Sequence, residues 1–251
     1  MYIRMLLLMV VSLYTSRIVL QTLDAEDFGT YSIVGGVVVM FTFISSAMAT
    51  GTQRHLSYEL GKQDGDVATI FSACYRIHVA LAVIVMLLAE TIGLWFLNVK
   101  MNLPIERMDV INWIYQFSII TCMIGIIQVP YTALIVAHEK MSFYAYIGIF
   151  DALMKLGLVF LLTIFPVDKL FLYGVLLMFV ALITFGINAS YCHVKLSNIS
   201  FVKLCDLSLY RKLLSFSGWS LLGALANVGY QQGVNIIINL FYGVTLNASV
   251  G

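Results

Sequence analysis

The sequence predicts an all-α, polytopic bundle of transmembrane helices, and three features predict it. Apolar residues make up 61% of the chain and charged residues 11%, against about 45–50% and 25% in soluble domains. Mean hydropathy is +0.95. The apolar residues gather in runs of roughly 20, enough for a helix to cross a hydrocarbon core of about 30 Å. The runs are continuous rather than alternating, which selects helices over barrel strands in a medium where every backbone polar group must be satisfied internally.

The expected spans lie at about 1–23, 30–52, 76–97, 110–137, 142–165 and 169–192, with a seventh over 213–242. The stretch LDAEDF joins the first two as an acidic loop, HEKM joins the fourth and fifth, and PVDK the fifth and sixth. No loop is long enough for a folded extramembrane domain. Pro130 predicts a kink or irregular turn near the end of the fourth span. Trp95 and Trp113 flank the third long loop, as interfacial anchors do. If the N-terminus is cytoplasmic, the cytoplasmic loops hold Arg54, Lys62, Lys140, Lys195, Lys203, Arg211 and Lys212, and the opposite loops only Lys100, Arg107 and Lys169. The positive-inside rule favours that orientation. The opening run has no polar lead and the chain stops at NASVG beside a span, so the sequence reads as part of a longer protein.

Several classes fall away. A net charge of +1 offers no basic face for a nucleic-acid partner. The four cysteines form no C-x-x-C; Cys74 and Cys122 fall in or beside spans, and Cys192 and Cys205 read as part of a basic loop, so neither a disulfide nor a metal site is expected. His55, His78, His138 and His193 are scattered and read as ordinary loop or helix-end residues. There is no Walker-type loop or H-E-x-x-H pattern, and no cofactor is expected. The first span lacks a signal-peptide cleavage pattern.

Ionisable residues inside spans are candidate functional groups, because each is costly in lipid unless paired or hydrated. Arg17 stands deep in the first span, a few residues before Asp24, Glu26 and Asp27. It reads either as a snorkelling anchor or as a cation facing a hydrated cavity. Asp151 and Lys155 are four apart with the acid N-terminal, the better orientation for a helical pair, and Tyr144 and Gly148 share their face. The pair is either a structural ion pair or a cavity site where an anion competes for Lys155 and a proton titrates Asp151. Glu90 reads as a solvated span end. In the seventh span Gly223, Asn227, Gln231, Asn235 and Asn239 recur every four residues, a slanted polar stripe that either glues helices together or lines a cavity.

Four stretches in order, YIRMLLLMVVSLYTSRIVLQTLDAEDFGTYSIVGGVV, SSAMATGTQRHLSYELGK, VPYTALIVAHEKMSFYAYIGIFDALMKLGLV and FSGWSLLGALANVGYQQGVNIIINLFYG, resemble the bacterial polysaccharide-biosynthesis membrane proteins. These are the O-antigen and capsule flippases of the multidrug/oligosaccharidyl-lipid/polysaccharide exporter superfamily. The resemblance implies two helical bundles around a central cavity that alternate between inward- and outward-open states. On that basis residues 1–205 form the first bundle and 206–251 open the second. It implies a substrate, an undecaprenyl pyrophosphate-linked oligosaccharide, and a setting in the bacterial inner membrane among lipids, polysaccharide polymerase and chain-length machinery. Arg17 and Arg54 match arginines that serve the cavity in related lipid flippases. Lys155 and the amides Asn227, Gln231 and Asn235 join them as substrate-binding candidates, with Asp151 the candidate for ion or proton coupling.

Other readings are a cation-coupled small-molecule exporter of the same superfamily, a membrane polymerase or glycosyltransferase, and an inactive remnant. The short loops argue against the membrane enzyme.

Overall fold

The computed structural model describes residues 2–39, 42–99, 107–164, 168–196, 201–202, 207–215, 218, 222–223 and 226. Those residues form helices and connecting turns, with no strand among them. The helices are α1 (Tyr2–Val39), α2 (Thr42–Leu60), α3 (Val67–Leu88), a π-helical segment (Ala89–Gly93), α4 (Leu94–Val99), α5 (Met108–Ala137), α6 (Met141–Ile164) and α7 (Lys169–Lys195). Five stretches are long and apolar enough to cross a membrane: Met5–Leu23, Val67–Val99, Met108–Ala137, Met141–Ile164 and Lys169–Lys195. The protein is therefore an all-helical, multi-pass membrane protein by length and composition.

Helix α5 is the centre. It packs against α1, α2, α3, α6 and α7, and over its last two turns its buried residues, Val129 to Tyr131 and Ala133 to Ile135, lie all round it. A helix apolar on every side is one that neighbours surround. Helix α7 runs parallel to it: Phe117 meets Phe171 edge-on, and Tyr131 meets Phe185 further along. A Cβ added at Gly174 would come 3.4 Å from Phe117 and 3.5 Å from Ile114. That is the close approach of small residues on which helix association in lipid depends.

The acidic stretch expected to be a loop is helical, since α1 continues through residues 24–29. Leu23, Ala25 and Glu26 are good helix formers, and no proline interrupts them. The reversal expected there is nevertheless present. Leu8 and Ser16 line a cavity with Gly148 and Lys155 of α6, and the Thr22 carbonyl accepts from Lys169 at the start of α7. Asp27 pairs with Arg107 at the start of α5. Beyond it Tyr31 meets Tyr173 edge-on at 4.9 Å, and Gly35, Val38 and Ser45 line a cavity with Ser118 and Gly125, well down α5. The first limb of α1 thus travels toward the Lys169 end of the bundle and the second limb travels away from it.

That turn is fixed by one cation. Arg107 pairs with Asp27 of α1 and with Asp168, whose carboxylate also caps α7 by accepting from the N–H groups of Leu170 and Phe171, each at 3.1 Å. The two carboxylates, Asp27 first, hold the Arg107 guanidinium even more firmly protonated than usual.

At the opposite end, α2 and α3 are joined by a tight turn. Asp66 caps α3 by accepting from the Thr69 N–H at 3.0 Å and from its hydroxyl, which holds the Asp66 carboxyl below its usual range. A Cβ at Gly65 would fall 1.9 Å from the Glu59 carbonyl oxygen, so only glycine fits. Gly65→Ala is expected to lower stability by about 2 kcal/mol, the scale of overpacking a fixed backbone; thermal unfolding in detergent micelles checks it. The α5–α6 connection turns on Glu139, which adopts φ 58°.

Two further expectations are corrected. Cys192 is not in a basic loop: α7 carries it to Lys195, and it is fully buried. His78 is not a helix-end residue: it lies inside α3 with no exposed surface. Each lies on the buried face of its helix, His78 with Cys74 and Ala82 and Cys192 with Asn188. Glu90 is helical, within the π segment, and takes a 3.2 Å hydrogen bond from Gln116. Helix α5 continues past Pro130 to Ala137.

Candidate functional site: polar cavities along the central helix

Three adjoining cavities run through the bundle. The first, of about 350 Å³, lies among Tyr31, Ser45, Ser118, Thr121 and Gly125. The second, also about 350 Å³, is lined by Thr121, Gly125, Gln128, Thr132, Tyr144, Gly148, Asp151, Thr184 and Asn188. The third, about 450 Å³, is lined by Ser12, Thr15, Ser16, Gly148, Asp151 and Lys155. Thr121 and Gly125 belong to the first two, and Gly148 and Asp151 to the last two. The first junction is open at Gly125, where an added Cβ would meet nothing within 4 Å.

The concentration of hydroxyls and amides is unusual for the interior of an apolar bundle. Some are satisfied locally: Thr184 Oγ1 donates to the Val180 carbonyl at 2.8 Å, and Asn188 Nδ2 to the Thr184 carbonyl at 3.0 Å. Bonds of this kind let a helix carry polar side chains through lipid. Both residues line the second cavity.

Asp151 and Lys155 stand at the second junction. Lys155 Nζ donates to Asp151 Oδ2 at 2.8 Å, and the other carboxylate oxygen lies 3.5 Å from Thr184 Oγ1. The four-residue spacing on α6 forms the pair, as the sequence predicts, and Tyr144 and Gly148 share its face of the second cavity. The lysine side chain is 46% exposed and the aspartate 29%. The ammonium therefore keeps room for a second anionic partner, and Asp151 opens onto cavities on both sides. Chemically, the arrangement presents one ammonium and one carboxylate to the cavity space; no metal-ligand cluster occurs among the described residues.

The other candidates lie elsewhere. Arg17 is exposed and sits two positions from both Thr15 and Val19, about 200° round the helix from the packed face. No partner of Arg17 is seen among the described residues. It lies toward the Lys169 end of the first limb, whereas Arg54 is near the far end of α2, so the two arginines are not brought together. Asn227, Gln231 and Asn235 fall outside the described residues.

Arg54 and Lys212 flank His55. Burial first, and then these two cations, lower the His55 pKa below 6.5. The unfolded chain therefore binds the proton more readily, and His55 contributes stability that is complete above the unfolded pKa and declines as pH falls through it. Thermal stability in detergent is expected to drop between pH 7.5 and 5.5, and His55→Gln to flatten that drop.

Sequence reasoning missed two sets of residues. Gln128 with Thr132 and Thr184 with Asn188 are four apart within spans, a pattern that polar periodicity alone could have flagged. The Arg107 clamp joins residues 27, 107 and 168, which no local spacing connects.

No protein-family model matches the chain, and neither curated proteins nor solved structures include a match.

Proposed function

We propose that the protein is a membrane transporter that moves an anionic, lipid-linked oligosaccharide across the bilayer by alternating access, with no covalent chemistry. The observation that carries this reading is Asp151 standing between two cavities of an apolar bundle, with its partner Lys155 in the wall of one of them. A carrier pyrophosphate needs a cation in a sheltered, hydrated place, and its glycan needs hydroxyl and amide partners; Lys155, Gln128, Thr132 and Asn188 supply both kinds. The resemblance to polysaccharide flippases of the bacterial inner membrane supports the substrate class. The orientation with the N-terminus in the cytoplasm is supported by charge. Lys62, Arg76, Lys140 and Lys195 gather toward one end of the bundle, while Arg107 and Lys169 at the other are matched by Asp27 and Asp168.

The test is complementation of a strain that lacks its own flippase, using the natural gene. Loss of surface polysaccharide in the combined Arg17→Gln, Arg54→Gln variant at normal protein level is expected. Normal polysaccharide in that variant would remove those two arginines from the site, and normal polysaccharide on deletion of the gene in its own host would overturn the flippase reading. The position of Asp151 between two cavities favours one second reading, a cation-coupled small-molecule exporter. Drug resistance that disappears with Asp151→Asn, without any change in glycan, would select it.

A further inference from the structure

We infer that the bundle holds an internal water molecule near Pro130, bridging His78 of α3 and the Ile126 carbonyl of α5. The inference is independent of the transport reading. His78 has no exposed surface. Its Nδ1 lies 2.8 Å from the Cys74 carbonyl oxygen, and a carbonyl only accepts, so Nδ1 carries the proton. The neutral ring then presents Nε2 as a bare acceptor. Among the described residues that buried atom has no hydrogen-bond partner.

The second unmatched group is on α5. Pro130 lies inside the helix and has no N–H, so the carbonyl of Ile126, four residues earlier, loses its helical donor. Ile126 is itself fully buried.

Packing brings the two to one level. Phe71, His78 and Val85 recur every seven residues on α3 and so share a stripe. Phe71 packs edge-on against Tyr131 of α5, and Val85 packs in one cluster with Ala82 and Ile126. The helices are antiparallel here, because Ala89, in the π segment that continues α3, accepts from Tyr115, earlier on α5. The pairs Phe71–Tyr131 and Ala89–Tyr115 therefore set the His78 backbone near the level of Gly125, and its ring, turned back toward the Cys74 carbonyl, lies within a turn of that, beside Ile126. The Ile126 carbonyl points along α5 toward that same level.

Two buried acceptors cannot bond to each other. Each unmade bond costs roughly 1–3 kcal/mol, and one water, with two donors, satisfies both at once. Buried waters characteristically serve polar groups left over by secondary structure. The site also has a mechanical meaning. Gln128 and Thr132 flank Pro130 and line the second cavity, so the water would lie behind the cavity wall.

Nitrogen-15 NMR of the whole protein in lipid bilayers tests this. The expected His78 spectrum is the neutral Nδ1–H tautomer, with an unprotonated Nε2 shifted by hydrogen bonding and showing magnetisation transfer from water. In Pro130→Ala the new N–H satisfies Ile126, and the water transfer to His78 is expected to be lost. A protonated Nε2 in the natural protein, either as the other tautomer or as imidazolium, would overturn the inference. So would an unprotonated Nε2 with no contact to water. Water transfer unchanged in Pro130→Ala would remove the carbonyl from the site.

Discussion

Replacing Arg107 with alanine is expected to lower the stability of the bundle by about 2 kcal/mol, on the scale of hydrogen bonds to charged groups that are partly desolvated. The guanidinium joins three elements that are distant in sequence: the reversal of α1 at Asp27, the start of α5, and the cap of α7 at Asp168. Asp27 is only 16% exposed, so its carboxylate would be left without a cation in a place water reaches poorly. Arg107→Lys is expected to recover less than half of the loss, because a single ammonium cannot present the fork that engages two carboxylates. Thermal unfolding in micelles measures both. A loss below about 0.5 kcal/mol in the alanine variant would mean that the clamp is an ordinary surface pair.

On the proposed transport reading, Lys155→Met is expected to reduce transport at least tenfold while leaving protein level and stability near normal. The lysine is half-exposed at a cavity wall, so the methionine side chain fits without a cavity or a clash. What is lost is the cation, and Asp151 is left unpaired between two cavities. Lys155→Arg is expected to retain most transport if charge alone is required. Asp151→Asn separates the roles further: it frees the ammonium, and so should strengthen retention of an anionic substrate and slow its release. Substrate uptake in vesicles or surface glycan yield reads all three. Full activity in Lys155→Met would remove the pair from the mechanism.

How much of this was legible in the sequence depends on the range of the interaction. Helix positions follow from runs of apolar residues: four of them stand close to their expected limits, and the third, expected over 76–97, begins nine residues earlier at Val67. The Asp151–Lys155 pair was legible because it is made within one helix turn. The helical backbone of LDAEDF was not: its acids suggest a solvated loop, while local propensity and the Arg107 clamp hold it as helix. Nor was the burial of His78, since its single-residue polarity says nothing about which face meets α5. Residues 27, 107 and 168 come together only through the packing of α1, α5 and α7, and no spacing rule contains that information.

The π segment has a consequence for how the chain tolerates changes in length. Val85, Ala89, Gly93 and Leu97 are all buried and recur every four residues. In an uninterrupted α-helix three such steps would drift about 120°, and the inward stripe would slide toward Ile92 and Phe96, which here face outward at 59% and 40% exposure. The wide turn at Ala89–Gly93 absorbs most of that drift, as a single extra residue would. The helix therefore carries one residue of slack at a known place. Removing Thr91 would tighten the turn and leave both flanks facing as they do. Removing a residue at Ala80 or Val83 would have no such reserve, and would swing everything up to the bulge by about 100°, taking the buried stripe of α3 off its partner.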